Sequence, residues 1–204
     1  PEVVEIATLS ELQAVDSGLS GNYVLVNDID ATETKDWNNG NGFKPIGYED
    51  KSGYGFTGTF NGQGHKIKNL FIYKEYQEQS NNQVGLFSFG SSNVCIKNLI
   101  LENINYKINK PIPVGGIIGH LGNLSGEIEY TLDNLIVSGQ IITTCACGGI
   151  CGEMVENNTY NWEKGEYFKK SRSLVSRVNI IFFFSCGNSY PIGGICGISF
   201  GNQI

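Results

Sequence analysis

Gly55-Phe56-Thr57-Gly58-Thr59-Phe60-Asn61-Gly62-Gln63-Gly64-His65-Lys66-Ile67-Lys68-Asn69-Leu70 is the stretch whose reading decides the fold. Phe56, Gly58 and Phe60 alternate with Thr57 and Thr59, which is the two-residue period of a strand. Asn61-Gly62 is expected to supply a tight turn with positive φ, and Gly64 a second permissive position. An extended run then restarts through Ile67, Leu70 and Ile72. Outward from this block, the same order of an Asn-led apolar strand and a Gly-led apolar strand recurs to the end of the chain.

The Asn-led strands begin at Asn69, Asn98, Asn134 and Asn179, and the Gly-led strands at Gly85, Gly116, Gly149 and Gly194. A fixed order of short strands with variable joins is the mark of a solenoid, because one unit cannot bury its apolar residues alone. Stacked units would lie about 4.8 Å apart and form ladders. Leu86, Ile117, Ile150 and Ile195 are expected at one level; Leu70, Leu99, Leu135 and Ile180 at another. The recurring Asn69, Asn98, Asn134 and Asn179 are expected to stack as an amide ladder at a corner, each amide satisfying the next.

Before the repeats, Thr8-Leu9-Ser10-Glu11 reads as a capping box opening a short amphipathic helix that Gly18 ends. Asn22 to Val26 reads as a strand. Residues 31–55 form a long Asn- and Gly-rich loop carrying Trp37, Phe43 and Tyr48. A second aromatic group, Tyr160, Trp162 and Tyr167, lies in an insertion that lengthens the last repeat. These six aromatics either fold their loops back over the body or present a binding lip for a sugar ring or protein patch. The domain plan is one continuous unit: 1–55 as N-terminal cap and first coil, 56–204 as repeats.

Bulk properties narrow the function. The net charge of −6 argues against a nucleic-acid surface, and no apolar run is long enough for membrane insertion. Of the six cysteines, Cys145, Cys147, Cys151, Cys186 and Cys196 all follow residue 140, so they do not staple the whole chain. Cys151 and Cys196 fall at one level of the Gly-led strands, where earlier units carry Phe87 and Ile118. Parallel in-register neighbours seldom offer good disulfide torsions, so two packed thiols are expected there. Cys145-x-Cys147-x3-Cys151 matches no standard zinc spacing. The acids Asp28, Asp30, Glu102, Glu127 and Asp133 do not recur at one level, so no catalytic carboxylate pair can be placed. His65 sits in the turn-rich block and reads as a structural hydrogen-bonder; His120 has no Cys or Ser partner in its repeat. No metal, cofactor or catalytic residue is assigned.

The Leu19–Leu25 segment with Asp28-Ile29-Asp30, the Phe56–His65 block and the Gly-Gly-Ile-Ile-Gly units together resemble the GLUG-motif β-helix region of bacterial surface adhesins and peptidase passenger regions. The resemblance covers about Ile6 to Gly197 and implies a right-handed parallel β-helix. It implies a structural or adhesive module, extracellular or at the cell surface, whose partners are a host or matrix protein, a glycan, or further copies of itself end to end. A fibre subunit and a carbohydrate-active enzyme remain the alternatives. No further Asn-led strand follows Gly197, and residues 180–204 hold no Asp, Glu, Lys or Arg, so an uncapped end covered by more coils or a second copy is expected.

Far-ultraviolet circular dichroism is expected to show a dominant strand signal; a spectrum led by helix would contradict the solenoid.

Overall fold

The computed structural model describes residues 2–47, 55–75, 83–91, 93–122, 129–155, 160–161, 166–167, 172–186, 192–193 and 196–200. The chain opens with β1 (Val3–Ile6) and α1 (Leu9–Ala14). Thr8 and Glu11 form the reciprocal capping box, and Leu9 and Leu12 are the buried face of this short α-helix. A 3-10 turn, Val15–Ser17, follows and ends at Gly18. Then come β2 (Asn22–Leu25) and β3 (Ile29–Asp30). The loop beyond holds two 3-10 turns, Thr32–Asp36 and Asn38–Gly40.

The next coil is built from β4 (Thr59–Asn61), β5 (Lys66–Lys68), β6 (Phe71–Lys74) and β7 (Phe87–Gly90). Two further coils repeat one plan of a long, a very short and a medium strand. They are β8 (Val94–Ile108), β9 (Val114–Gly115) and β10 (Ile118–Gly122), then β11 (Glu129–Thr143), β12 (Cys147–Gly148) and β13 (Cys151–Val155). An antiparallel pair, β14 (Tyr160–Asn161) and β15 (Glu166–Tyr167), interrupts the plan. The last coil is β16 (Arg172–Cys186), β17 (Ile192–Gly193) and β18 (Cys196–Phe200).

All pairing between coils is parallel among the named strands. One sheet runs β1-β2-β4-β8-β11-β16, with β3, β5 and β6 attached beside it; a second runs β7-β10-β13-β18; a third runs β9-β12-β17. The molecule is therefore a parallel β-solenoid, and its first sheet passes without a break from the N-terminal strands into the repeats. Inward side chains fill the core: Phe56, Phe60, Phe87, Ile67, Leu99, Leu101, Ile117, Leu132, Leu135 and Ile150 are fully buried. The alternation expected at Phe56, Gly58 and Phe60 is present, with Thr57 and Thr59 on the other side.

Three details differ from the sequence reading, each for a physical reason. First, the hairpin-like turn is centred on Gln63 and Gly64, both at positive φ, with the His65 N–H donating to the Gly62 carbonyl at 2.8 Å. Gly62 is needed for another cause: a Cβ there would run into the Asn98 carbonyl of the next coil. Second, the Asn-led strands are not short. Asn98 and Asn103 adopt left-handed φ inside β8, at +53° and +55°, so one 15-residue strand turns two corners. Asn and Gly are the residues that tolerate such a φ. Third, the register separates the four asparagines. Leu99 pairs Leu135 and Leu135 pairs Val178, whereas Asn179 lies beside Ile136 and Ile180 beside Val137. Phe71 pairs Asn105, so Leu70 and Asn69 belong to the second corner, not to the Asn98 level. The Gly-led level is as expected: Phe87, Ile118, Cys151 and Cys196 are in register.

Ile117 is fully buried between Leu86 and Ile150 of the adjoining coils. Ile117→Asp is expected to cost at least about 3 kcal/mol, because an unpaired carboxylate enters the core; urea unfolding monitored by circular dichroism checks it.

Candidate functional site

Two polar ladders run along the axis at the two corners. At the first, the Asn98 side-chain amide donates to Asn61 Oδ1 at 3.0 Å and the Asn134 amide donates to Asn98 Oδ1 at 2.9 Å. At the second, the Asn69 amide donates to Asp30 Oδ1 at 3.1 Å and to Thr32 Oγ1 at 3.0 Å, and the Asn103 amide donates to Asn69 Oδ1 at 2.8 Å. Each rung donates towards the N-terminal coil, so each leaves its own oxygen facing the next coil. The first corner has no Asn partner in the last coil: the pairs Asp133↔Ser176 and Leu135↔Val178 place position 177, an arginine, beside Asn134. At the second corner the ladder changes character. The Asn103 backbone N–H donates to Ser138 Oγ at 3.2 Å, and Gly139 stands at φ +137° beside Ile104. A Cβ on Gly139 would collide with the Ile104 backbone, which explains the glycine.

This break opens a groove of about 460 Å³ between Glu102 to Asn105 of β8 and Ser138 to Gln140 of β11. Asn105 Oδ1 is buried, with no hydrogen-bond partner among the described residues. Asn103 is exposed.

Three of the acids singled out in the sequence, Asp28, Asp30 and Glu102, are held by structural partners. Asp28 accepts from the Lys66 backbone N–H at 3.0 Å, meets His65 Nδ1 at 3.3 Å and lies 3.5 Å from the Lys68 ammonium. Those contacts, the Lys66 N–H first, hold its carboxyl below the ordinary range despite the opposing effect of desolvation. Asp30 is likewise lowered, chiefly by the Thr32 hydroxyl and then the Asn69 amide. Glu102 pairs with Lys66 at 2.7 Å, which raises the lysine. Glu127 lies outside the described residues. Among the described residues no group of three His, Cys, Asp or Glu side chains could hold a metal ion.

His120 has a partner that the sequence did not reveal. On the outer side of the second sheet its Nδ1 lies 3.0 Å from Glu153 Oε2, and its ring stacks on Phe89 with centroids 4.6 Å apart. The register sets this up, since His120 pairs Phe89 on one side and Glu153 on the other. Burial lowers the imidazole pKa, and Glu153 opposes the shift.

Cys151 is fully buried and Cys196 half-buried; both are thiols, and burial, followed by the contact with Cys196, pushes the Cys151 thiol well up. Cys95 and Cys145 are likewise thiols, whereas Cys147 is in a disulfide. Of the six aromatics, the structure describes the side chains of Phe43 and Trp37. Phe43 is fully buried and cannot touch a ligand, because it fills the core beneath the loop. Trp37 is half-buried and packs against that core. Tyr160 and Tyr167 pair across the β14–β15 hairpin. Tyr48 and Trp162 lie outside the described residues, as do the side chains of Tyr160, Tyr167 and Asn179.

The chain is 33% identical over 153 residues to halomucin of Haloquadratum walsbyi (strain DSM 16790 / HBSQ001). The match covers 72% of this chain and 2% of halomucin. No protein-family model matches the chain, and no solved structure matches it. No helix among the described residues is long and apolar enough to cross a membrane.

Two outcomes follow from this geometry. Asn98→Ala loses two axial hydrogen bonds and a residue suited to left-handed φ, an expected cost of about 2–3 kcal/mol. Asn98→Gly keeps the corner and is expected to fall between the variant and the wild type in denaturant unfolding. For His120, the folded pKa lies below the ordinary 6.5, so the unfolded chain takes up the proton first as pH falls. Its contribution is full above that ordinary value and is lost as pH drops from it towards the folded pKa. The His120→Gln variant is expected to lose less stability than wild type between about pH 7 and about pH 5, measured as urea midpoints.

Proposed function

We propose that the chain is a non-catalytic structural or adhesive module of a cell-surface or extracellular protein. The observation that carries this is the similarity to halomucin, whose name is that of a mucin, over a stretch that makes up only 2% of halomucin's length. A parallel solenoid suits such a role, because coils add along one axis and each contacts only its neighbours. The GLUG-like block at 56–65 supports the same reading. So does the state of the candidate acids: Asp28, Asp30 and Glu102 each serve a ladder or an ion pair, which leaves them poorly placed for acid–base work.

A fibre subunit is a second reading, favoured by one feature of β1. This strand ends the first sheet, and Val3 and Val4 on it are 56% and 44% exposed. An edge of this kind can accept another strand. The loop reading also stays open at Trp37, whose indole is half-buried and half available to a protein or glycan.

Antibody labelling of intact, unpermeabilised source cells tests the surface reading: a signal is expected without lysis, and labelling seen only after lysis overturns it. Light scattering tests the fibre reading, for which mass must rise with concentration and fall in a Val3→Lys, Val4→Lys variant.

A further inference from the structure

We propose that the break in the second polar ladder is a binding site for a neutral, hydroxyl-rich ligand, a short saccharide. The ladder supplies the reason. Its rungs pass from Asp30 to Asn69 to Asn103, and each oxygen accepts from the amide one coil further on. At Asn103 the series stops, because the next coil has Ser138-Gly139 in place of an asparagine. Asn103 is exposed, and its Oδ1 accepts no hydrogen bond from a described residue. Gly139 lets its strand lie against the Ile104 backbone, which a Cβ would meet, and both residues belong to the lining of the groove.

The polar groups around the gap select the ligand class. Asn103, Asn105, Gln140 and Glu102 supply acceptors, while Ser138 Oγ and the Gln140 amide can donate. Asn105 Oδ1 is a buried acceptor with no partner among the described residues, and an O–H that reached it would satisfy it. A metal cation would also satisfy acceptors. However, the single carboxylate here, Glu102, is already paired with Lys66 at 2.7 Å, and one shared charge does not hold a hard divalent ion. An anion would meet a surplus of acceptors. A sugar hydroxyl both donates and accepts, so it fits Asn103 and Ser138 at once. The groove's volume of about 460 Å³ suits one or two sugar rings. Because it is open, binding is expected to be weak, with a Kd on the order of 1 mM.

Cellobiose, maltose and lactose are each titrated into the ¹⁵N-labelled full chain, with calcium chloride as a separate arm. At least one disaccharide is expected to give saturable shifts centred on the Asn103, Ser138, Gly139 and Gln140 amides. Asn105→Val and Gln140→Ala are expected to lose most of that response. Asn105→Val should melt no lower than wild type, because it deletes an unpartnered acceptor, so its loss of binding is not a loss of fold. Asn103→Gly keeps the left-handed corner and is expected to weaken the shifts at least about threefold, the loss of one hydrogen bond. The proposal is overturned by the absence of shifts with all three sugars, by shifts elsewhere, by wild-type binding in the variants, or by calcium alone producing the groove's response. Its failure would leave the surface reading standing, since cell labelling does not depend on this groove.

Discussion

One coil of this chain cannot bury its own apolar side chains, and the rest of the structure follows from that constraint. Burial is reached only when the next coil lies in register at the strand spacing, about 4.8 Å away. Ile118 then sits between Phe87 and Cys151, and Leu135 between Leu99 and Val178. Each such contact is shared by two coils, so stability accumulates along the axis rather than around a centre. The short capped helix at Leu9–Ala14 belongs to the same economy of burial: it lays Leu9 and Leu12 onto the core beside the first strands.

Stacking in register forces the corners to stack as well, and that is where the asparagines come in. A corner needs positive φ, which glycine supplies most easily. Asparagine tolerates the same φ and adds an amide that reaches the coil before it. Asn98, Asn134, Asn69 and Asn103 do both jobs at once. Where the extra axial bond is absent, glycine returns, as at Gly139. At the second corner the two residues distinguish the rungs bonded along the axis from the one that is not.

This also explains what could be read from the sequence. The parallel solenoid, the capping box at Thr8 and Glu11, and the shared level of Phe87, Ile118, Cys151 and Cys196 were legible, because each depends on local pattern and on spacing within one repeat. The amide ladder was legible as a kind of interaction but not in its membership. Asn69 and Asn98 open similar apolar runs, yet one stands at the second corner and the other at the first, because β8 bends twice within 15 residues. Asn179 follows an insertion that shifts its register by two positions, to Ile136. Phe43 was read as a loop aromatic of either role; its full burial follows from the loop folding back on the core. The His120–Glu153 pair was invisible because its partners lie 33 residues apart and meet only through register.

The inward and outward sides of each coil are under unequal constraint. Replacing an inward residue disturbs two interfaces at once, so the ladders of Ile, Leu and Phe leave little freedom. Outward residues between corners are tied by charge pairs such as Lys66–Glu102 and Asp28–Lys68, which fix their geometry without filling space. A corner is different. Exchanging asparagine for glycine keeps the backbone turn and removes only the axial amide, so a gap can open there while the core beneath stays closed. In this chain the groove between Asn103 and Ser138 includes Ile104 in its lining, and both Ile104 and the nearby Ile141 are buried in the core. A solenoid can therefore vary its surface chemistry coil by coil at the corners, and the interrupted rung marks the place where such variation costs the fold least.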